Sequence, residues 1–197
     1  MTRRQVRLTN DVIGAFEHYI DLMSTYQKLL QEQIRNEFTA SQQYTAVAVW
    51  FDDQDLPQLA SHFYKQSLEE RNHAMMMVQY LLDKDIRPNI PGVGDVVNDF
   101  DTALEPLELA LQQEITVTKQ VETLARTARD DGDYVGEQFM QWFLKEQVEE
   151  VAAMTTLVNV AKRAGDNLFH LEDFLARETV GDNGADPTAP TAAGGSV

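Results

Sequence analysis

The chain has 197 residues, 43% of them hydrophobic, enough for one domain with a real core. A formal net charge of −16 opposes binding to DNA, RNA or an anionic membrane surface, whose phosphates need clustered Lys and Arg; it favours cations, or serves solubility alone. The absence of cysteine excludes disulfides, thiolate metal sites, iron–sulfur clusters and cysteine nucleophiles, so any metal must be held by Asp, Glu or His.

Residues 1–22 read as an N-terminal extension. Met1 to Arg7 is basic, but Asn10, Asp11, Glu17 and His18 interrupt the stretch from Leu8 to Tyr19, so no signal-peptide apolar region is expected. Val12, Ile13, Phe16 and Ile20 fit one or two amphipathic turns. No run reaches the ~20 apolar residues of a membrane span, and the protein is expected to be cytoplasmic.

From Leu22 onward apolar residues recur at helical spacing in four long blocks: Leu22 to Phe51, Leu56 to Asp83, Ala103 to Arg129 and Tyr134 to Ala164. Pro88, Pro91, Gly92 and Gly94 break the pattern between Asp85 and Thr102, and Asp130-Asp131-Gly132-Asp133 makes a turn between the third and fourth blocks. Gly165 stops the fourth, and a short fifth helix is expected over Leu168 to Glu178. Short links make antiparallel neighbours, whereas a link of about 18 residues can travel the length of a bundle; the expected fold is an all-α, ferritin-like four-helix bundle with one long crossover. The main domain spans 23–178. The tail, 179–197, is dominated by Gly, Ala, Pro and Thr without an aromatic residue, and is expected to be disordered.

Acids fall on the apolar stripes. The stripes read Leu30, Ile34, Glu37, Ser41, Tyr44, Ala48, Phe51; then Leu59, Phe63, Gln66, Glu70, His73, Met77, Tyr80; then Leu107, Leu111, Glu114, Thr118, Val121; then Met140, Leu144, Gln147, Glu150 or Val151, Met154. Each helix thereby places one acid near its middle, and Glu70 and His73 stand one turn apart on one face. A lone buried carboxylate costs several kcal/mol or takes up a proton, so four converging acids with one imidazole make sense if they share cations. The donor set suits iron or manganese, with zinc as a competitor. Taken singly, each acid can also be a surface residue on a misphased helix.

The runs NEFTASQQY (Asn36 to Tyr44), EERNHA (Glu69 to Ala74), LALQQEITVTKQ around Glu114, and QWFLKEQVEE (Gln141 to Glu150) resemble the four helices of a bacterial non-haem ferritin, in order, from about Leu29 to Glu178. The resemblance is closest to the actinobacterial type. It implies a homo-oligomeric hollow shell of about two dozen subunits, with Fe2+ oxidised by O2 or H2O2 at an intrasubunit diiron centre and a ferric mineral stored inside. Residue by residue, it implies that Glu37, Glu70 and His73 hold the first iron. Glu70 bridges to a second held with Glu114 and Glu150, and Gln147 stands alongside. Glu69, Glu146 and Glu149 match a third iron position. Tyr44 and Trp142 match aromatic residues near the centre, where a tyrosine can supply an electron to oxygen; both can equally be core packing. Bacterioferritins carry a second Glu-x-x-His on the last bundle helix and a haem-ligating Met after the second-helix Glu. Here Gln147 and Glu150, and Arg71 after Glu70, stand in those places, so no haem is expected.

Two further features bear on partners. Asp130, Asp131, Asp133 and Glu137 either line a threefold entry channel for cations or make a solvated turn. The tail, ending Ala192-Ala193-Gly194-Gly195-Ser196-Val197, is either a passive end or a peptide that docks into an encapsulating nanocompartment protein, as the tails of some actinobacterial ferritins are thought to do. Two alternatives to a ferroxidase stay open: a storage shell of weak oxidase activity, and a diiron oxidase acting on an organic substrate.

Overall fold

The computed structural model describes residues 23–178, 180–181 and 186–197; the expected amphipathic turns of the N-terminal extension lie outside them. The described residues form five helices and no strand: α1 (Thr25–Asp53), α2 (Pro57–Asp83), α3 (Leu104–Asp130), α4 (Tyr134–Ala164) and α5 (Leu168–Arg177). The first four match the sequence blocks to within two residues at each end past the first block's loosely placed start.

Each helix begins where its chemistry allows. Ser24 caps α1 by accepting from Gln27 N–H at 3.2 Å, while the Gln27 side chain accepts from Ser24 N–H at 3.1 Å, a reciprocal capping box. Asp133 caps α4 through Gly136 N–H at 3.0 Å. The start of α2 carries Pro57 and no side-chain cap of its own. Glu172 of α5 supplies it, accepting from Gln58 and Leu59 N–H at 2.9 and 3.0 Å, a carboxylate set on a helix N-terminus. That bond ties the short fifth helix to the bundle.

Hydrogen bonds record the path of the long connection. Asn89 pairs with Gln31, Gly92 with Arg35, Gly94 with Thr39 and Val97 with Gln43, and the Phe100 ring meets Trp50 edge-on at 5.6 Å. The loop thus runs along α1 from its first turns to its last. It delivers the chain to the far end, so α3 starts beside the end of α1, runs antiparallel to it and is parallel to α2. Tyr26 N–H donating to Asp131 at 2.8 Å closes the other end of the same pair.

The core is two apolar clusters. One gathers Tyr26, Leu30, Ile34, Met77, Leu81, Val121, Leu124 and Phe143; the other gathers Tyr44, Phe51, Leu59, Phe63, Leu107, Met154, Leu157 and Leu171. Near the lower edge of the first, α1 and α4 approach so closely that a Cβ on Gly136 would lie 2.5 Å from Cε1 of the fully buried Tyr26. Gly136→Ala is therefore expected to destabilise the fold by about 1–3 kcal/mol through overpacking, read as a lowered urea midpoint with an unchanged slope. A wild-type midpoint would show that the Tyr26 ring can step aside.

Residues 186–197 lie against α2 and α4: Asp186 accepts from the Trp142 indole at 3.0 Å and from Lys145 at 3.2 Å, Ala193 N–H donates to Met75 O at 3.0 Å, and Val197 and Asn72 exchange two bonds at 3.1 Å. Ala192 is buried. The tail has no aromatic anchor, but the bundle supplies one, and small residues are what permit backbone contact with a helix.

Candidate metal centre

Between the two apolar clusters lies a polar layer made by the middle turns of the four long helices. Glu37, Glu70, His73, Glu114, Gln147 and Glu150 are all buried, none more than 4% exposed. The ambiguity on the last stripe resolves toward Glu150, with Val151 only half-buried. Glu37, Glu70 and His73 each bring a ligand atom within 4.8 Å of the others, the one such cluster among the described residues. His73 Nδ1 stands 3.5 Å from Glu70 Oε2.

The hydrogen bonds of the layer are incomplete in a systematic way. Gln33 donates to Glu37 Oε1 at 2.9 Å, the Tyr44 hydroxyl donates to Glu114 Oε1, and the Thr118 hydroxyl donates to Gln147 Oε1 at 3.0 Å. Yet Oε2 of Glu37, Glu70, Glu114 and Glu150 is buried in every case and makes no hydrogen bond. Buried polar atoms are rarely left so. Four orphaned carboxylate oxygens on four helices are what shared cation ligands look like without their cations.

Electrostatics agree. Burial pushes the Glu37 carboxyl well above the ordinary carboxylate range, and the facing Glu70 pushes it further. Glu70 is raised by burial and then by Glu114 and Glu150. Glu150 is raised by burial, then by Glu114. Glu114 is raised by burial to about 7, with the Tyr44 hydroxyl holding it back. Burial and mutual repulsion thus favour the protonated carboxyls in the metal-free cluster, and these are the protons a divalent cation would displace.

The other expected residues are placed differently. Glu146 is buried and Glu69 half-buried, whereas the Glu149 side chain is 48% exposed and pairs with Lys145 at 3.7 Å; the three do not form a compact ligand cluster. Trp142 meets the His73 ring at 5.6 Å and bonds Asp186. Tyr44 packs edge-on against Phe63 at 5.6 Å while its hydroxyl reaches the centre. Of the turn acids, Asp131 holds Tyr26 N–H, Asp133 caps α4 and meets Lys84 at 3.3 Å, and Glu137 pairs with Arg129.

A protein-family model for the ferritin-like domain matches residues 27–164. The chain is 66% identical over 176 residues to ferritin BfrB of Mycolicibacterium smegmatis, covering 89% of this chain and 97% of that one. The chain belongs to the ferritins. The bacterial non-haem ferritin of Staphylococcus aureus is 35% identical over 153 residues, 76% of this chain and 92% of its own, which places this ferritin on the bacterial non-haem branch, of the actinobacterial BfrB type. Among solved structures, an open-pore ferritin of Archaeoglobus fulgidus superposes with a TM-score of 0.76 at 26% identity, covering 80% of this chain and 98% of that one. Ferritin homology carries iron as the bound metal and iron storage as the broad role. No helix among the described residues is long and apolar enough to cross a membrane.

Two contacts around this ferritin's polar layer escape a reading of the sequence. Gln33, only 2% exposed, orients Glu37 from one turn earlier, and its i, i+4 spacing is a usable signal. The tail's hold on Trp142 has no signal, because it joins residues 44 apart in the chain.

Proposed function

We propose that this ferritin oxidises Fe2+ to Fe3+ at the mid-bundle centre and stores the ferric product in a homo-oligomeric shell of its own copies. The four orphaned Oε2 atoms, one from each long helix, carry the reading. Glu37 and His73 serve one Fe2+, Glu114 and Glu150 the other, and Glu70 lies between them; Gln147, oriented by Thr118, borders the second position. Iron here is substrate. Two Fe2+ give up two electrons, which with two protons reduce O2 to H2O2, or H2O2 to water. The carboxyls lose their protons as Fe2+ enters, so they balance the charge of the substrate rather than act as acid–base catalysts. The Tyr44 hydroxyl donates to Glu114 and so borders the second iron position.

Anaerobic titration with Fe2+ followed by oxygen tests this: about two Fe2+ per chain should bind and oxidise rapidly, and excess iron should form particles inside the assembled shell. Slow oxidation with normal storage would favour a shell of weak activity. Rapid oxygen use without mineral would favour an organic substrate. For the third position, Glu149→Ala is expected to change the ratio of Fe2+ oxidised per O2 more than the initial rate; an unchanged ratio would remove Glu149 from the oxidation chemistry and leave it a surface partner of Lys145. Capture by an encapsulating nanocompartment protein belongs to the same reading, through the C-terminal tail, and co-expression with a shell protein would reveal it.

A further inference from the structure

Within the cluster of Glu37, Glu70 and His73, the Glu37 carboxylate is held by an amide of its own helix. Gln33 stands one turn earlier on α1, is only 2% exposed, and donates from Nε2 to Glu37 Oε1 at 2.9 Å. Gln33 Oε1 in turn accepts from Asn36 Nδ2 at 3.2 Å. Both ends of the amide are engaged, one as donor and one as acceptor, so it has a single orientation. Asn36 is half-buried, and with Gln33 it lines an open groove of about 450 Å³ between α1 and α3. The outer member of the pair therefore sits at the edge of the packed core.

This bond decides which oxygen of Glu37 a metal meets. Oε1 is taken by Gln33, whereas Oε2 is buried without a partner. Glu37 thus offers one oxygen from a fixed direction rather than two from a freely turning carboxylate. The second position is braced by other residues: the Tyr44 hydroxyl on Glu114 Oε1 and the Thr118 hydroxyl on Gln147 Oε1.

We infer that Gln33 is a positioning residue for the first metal position: it fixes Glu37 as a one-oxygen ligand through Oε2, with Asn36 holding the amide from the groove. Partners of this outer kind tighten a metal site by about ten- to a hundredfold, because the ligand is already aimed when the ion arrives. The inference rests on the centre being the iron site, and adds that its two positions can be weakened separately.

Anaerobic Co2+ titration of the assembled protein, followed by visible absorption, reads both positions. Wild type should take up about two ions per chain. Gln33→Met keeps the length of the side chain and removes the donor. It is expected to weaken one of the two ions about tenfold or more and to leave the other unchanged. The weakened ion should also absorb less strongly, since a freed carboxylate can close on cobalt through both oxygens, and a higher coordination number dims its visible bands. Asn36→Ala is expected to weaken the same ion several-fold. In a His73→Ala background, where the first position has already lost its imidazole, Gln33→Met should add little, because two changes at one position are not additive. Should Gln33→Met fail to assemble, Asn36→Ala decides by the same readings. If Gln33 merely satisfies a buried acid, Gln33→Met will shift the urea midpoint of the metal-free protein while both isotherms and band intensities stay as in wild type; that result overturns the proposal. Equal weakening of both ions overturns it too. A wild type that binds no such pair of ions overturns instead the reading of the centre.

Discussion

Glu70→Ala is expected to slow the oxidation of Fe2+ by about a hundredfold or more, the scale on which a buried group that balances charge at a reacting centre contributes, while the shell still assembles. Glu70 lies at the middle of the polar layer. It shares a ligand cluster with Glu37 and His73, and its charge is felt by Glu37 on one side and Tyr44 on the other. In the proposed arrangement, removing an outer ligand leaves one metal position whole, whereas removing Glu70 damages both. Stopped-flow absorbance after mixing Fe2+ with oxygenated buffer reads the rate, and a wild-type rate would sink the assignment. The isosteric Glu70→Gln should lose oxidation too, but with an opposite signature in stability. The Glu70 carboxyl has its folded pKa raised well above 4.5, so its contribution is intact below that value and is lost as pH rises through the folded pKa. The metal-free Gln variant, which has nothing to ionise there, should therefore be more stable than wild type at pH 7, with the gain vanishing as pH falls toward 4. A gain that grows on acidification would mean that the carboxylate is favourably paired.

The centre was legible because its chemistry contradicts its surroundings. An acid amid Leu30, Ile34, Tyr44 and Phe51 stands out, and the same contradiction repeated on four helices locates a layer. The crossover was legible because Pro88, Pro91 and two glycines cannot continue a helix. The edges of the stripes were less so. Leu144, Leu111 and Ser41 are half-buried, while Phe143, Ala110 and Ala40 beside them are buried, because a helix turning 3.6 residues per turn drifts away from strict three-and-four spacing over its length. Glu149 is the residue that position alone places least well: one residue from Glu150, it lies about 100° around the helix and meets Lys145 at the surface. The turn acids have a local role that composition does not show: Asp131 and Asp133 accept from backbone N–H groups of Tyr26 and Gly136.

The tail shows what composition leaves out. Disorder is inferred from what a segment can bury, and Gly, Ala, Pro and Thr bury little. A single residue overrides that average: Asp186 accepts from the Thr188 hydroxyl and N–H at 2.6 and 2.7 Å, from the Trp142 indole and from Lys145. The Thr188 bonds and then the indole hold its carboxyl well below the usual carboxylate range. Asp186→Ala is accordingly expected to release residues 186–197, raising their amide exchange roughly tenfold at neutral pH while the four long helices exchange as in wild type. The Trp142 emission should shift to longer wavelength as its indole N–H turns to water. Unchanged exchange would mean that Ala192, packed beside Met75, and the Val197–Asn72 pair hold the strap alone. Release also bears on capture by a shell protein. A peptide seated on its own bundle must leave before another protein can take it, so Asp186→Ala should co-purify with such a partner at least as well as wild type, whereas removal of 186–197 should abolish co-purification. If the truncated chain is still captured, the tail is a strap for the bundle and nothing more.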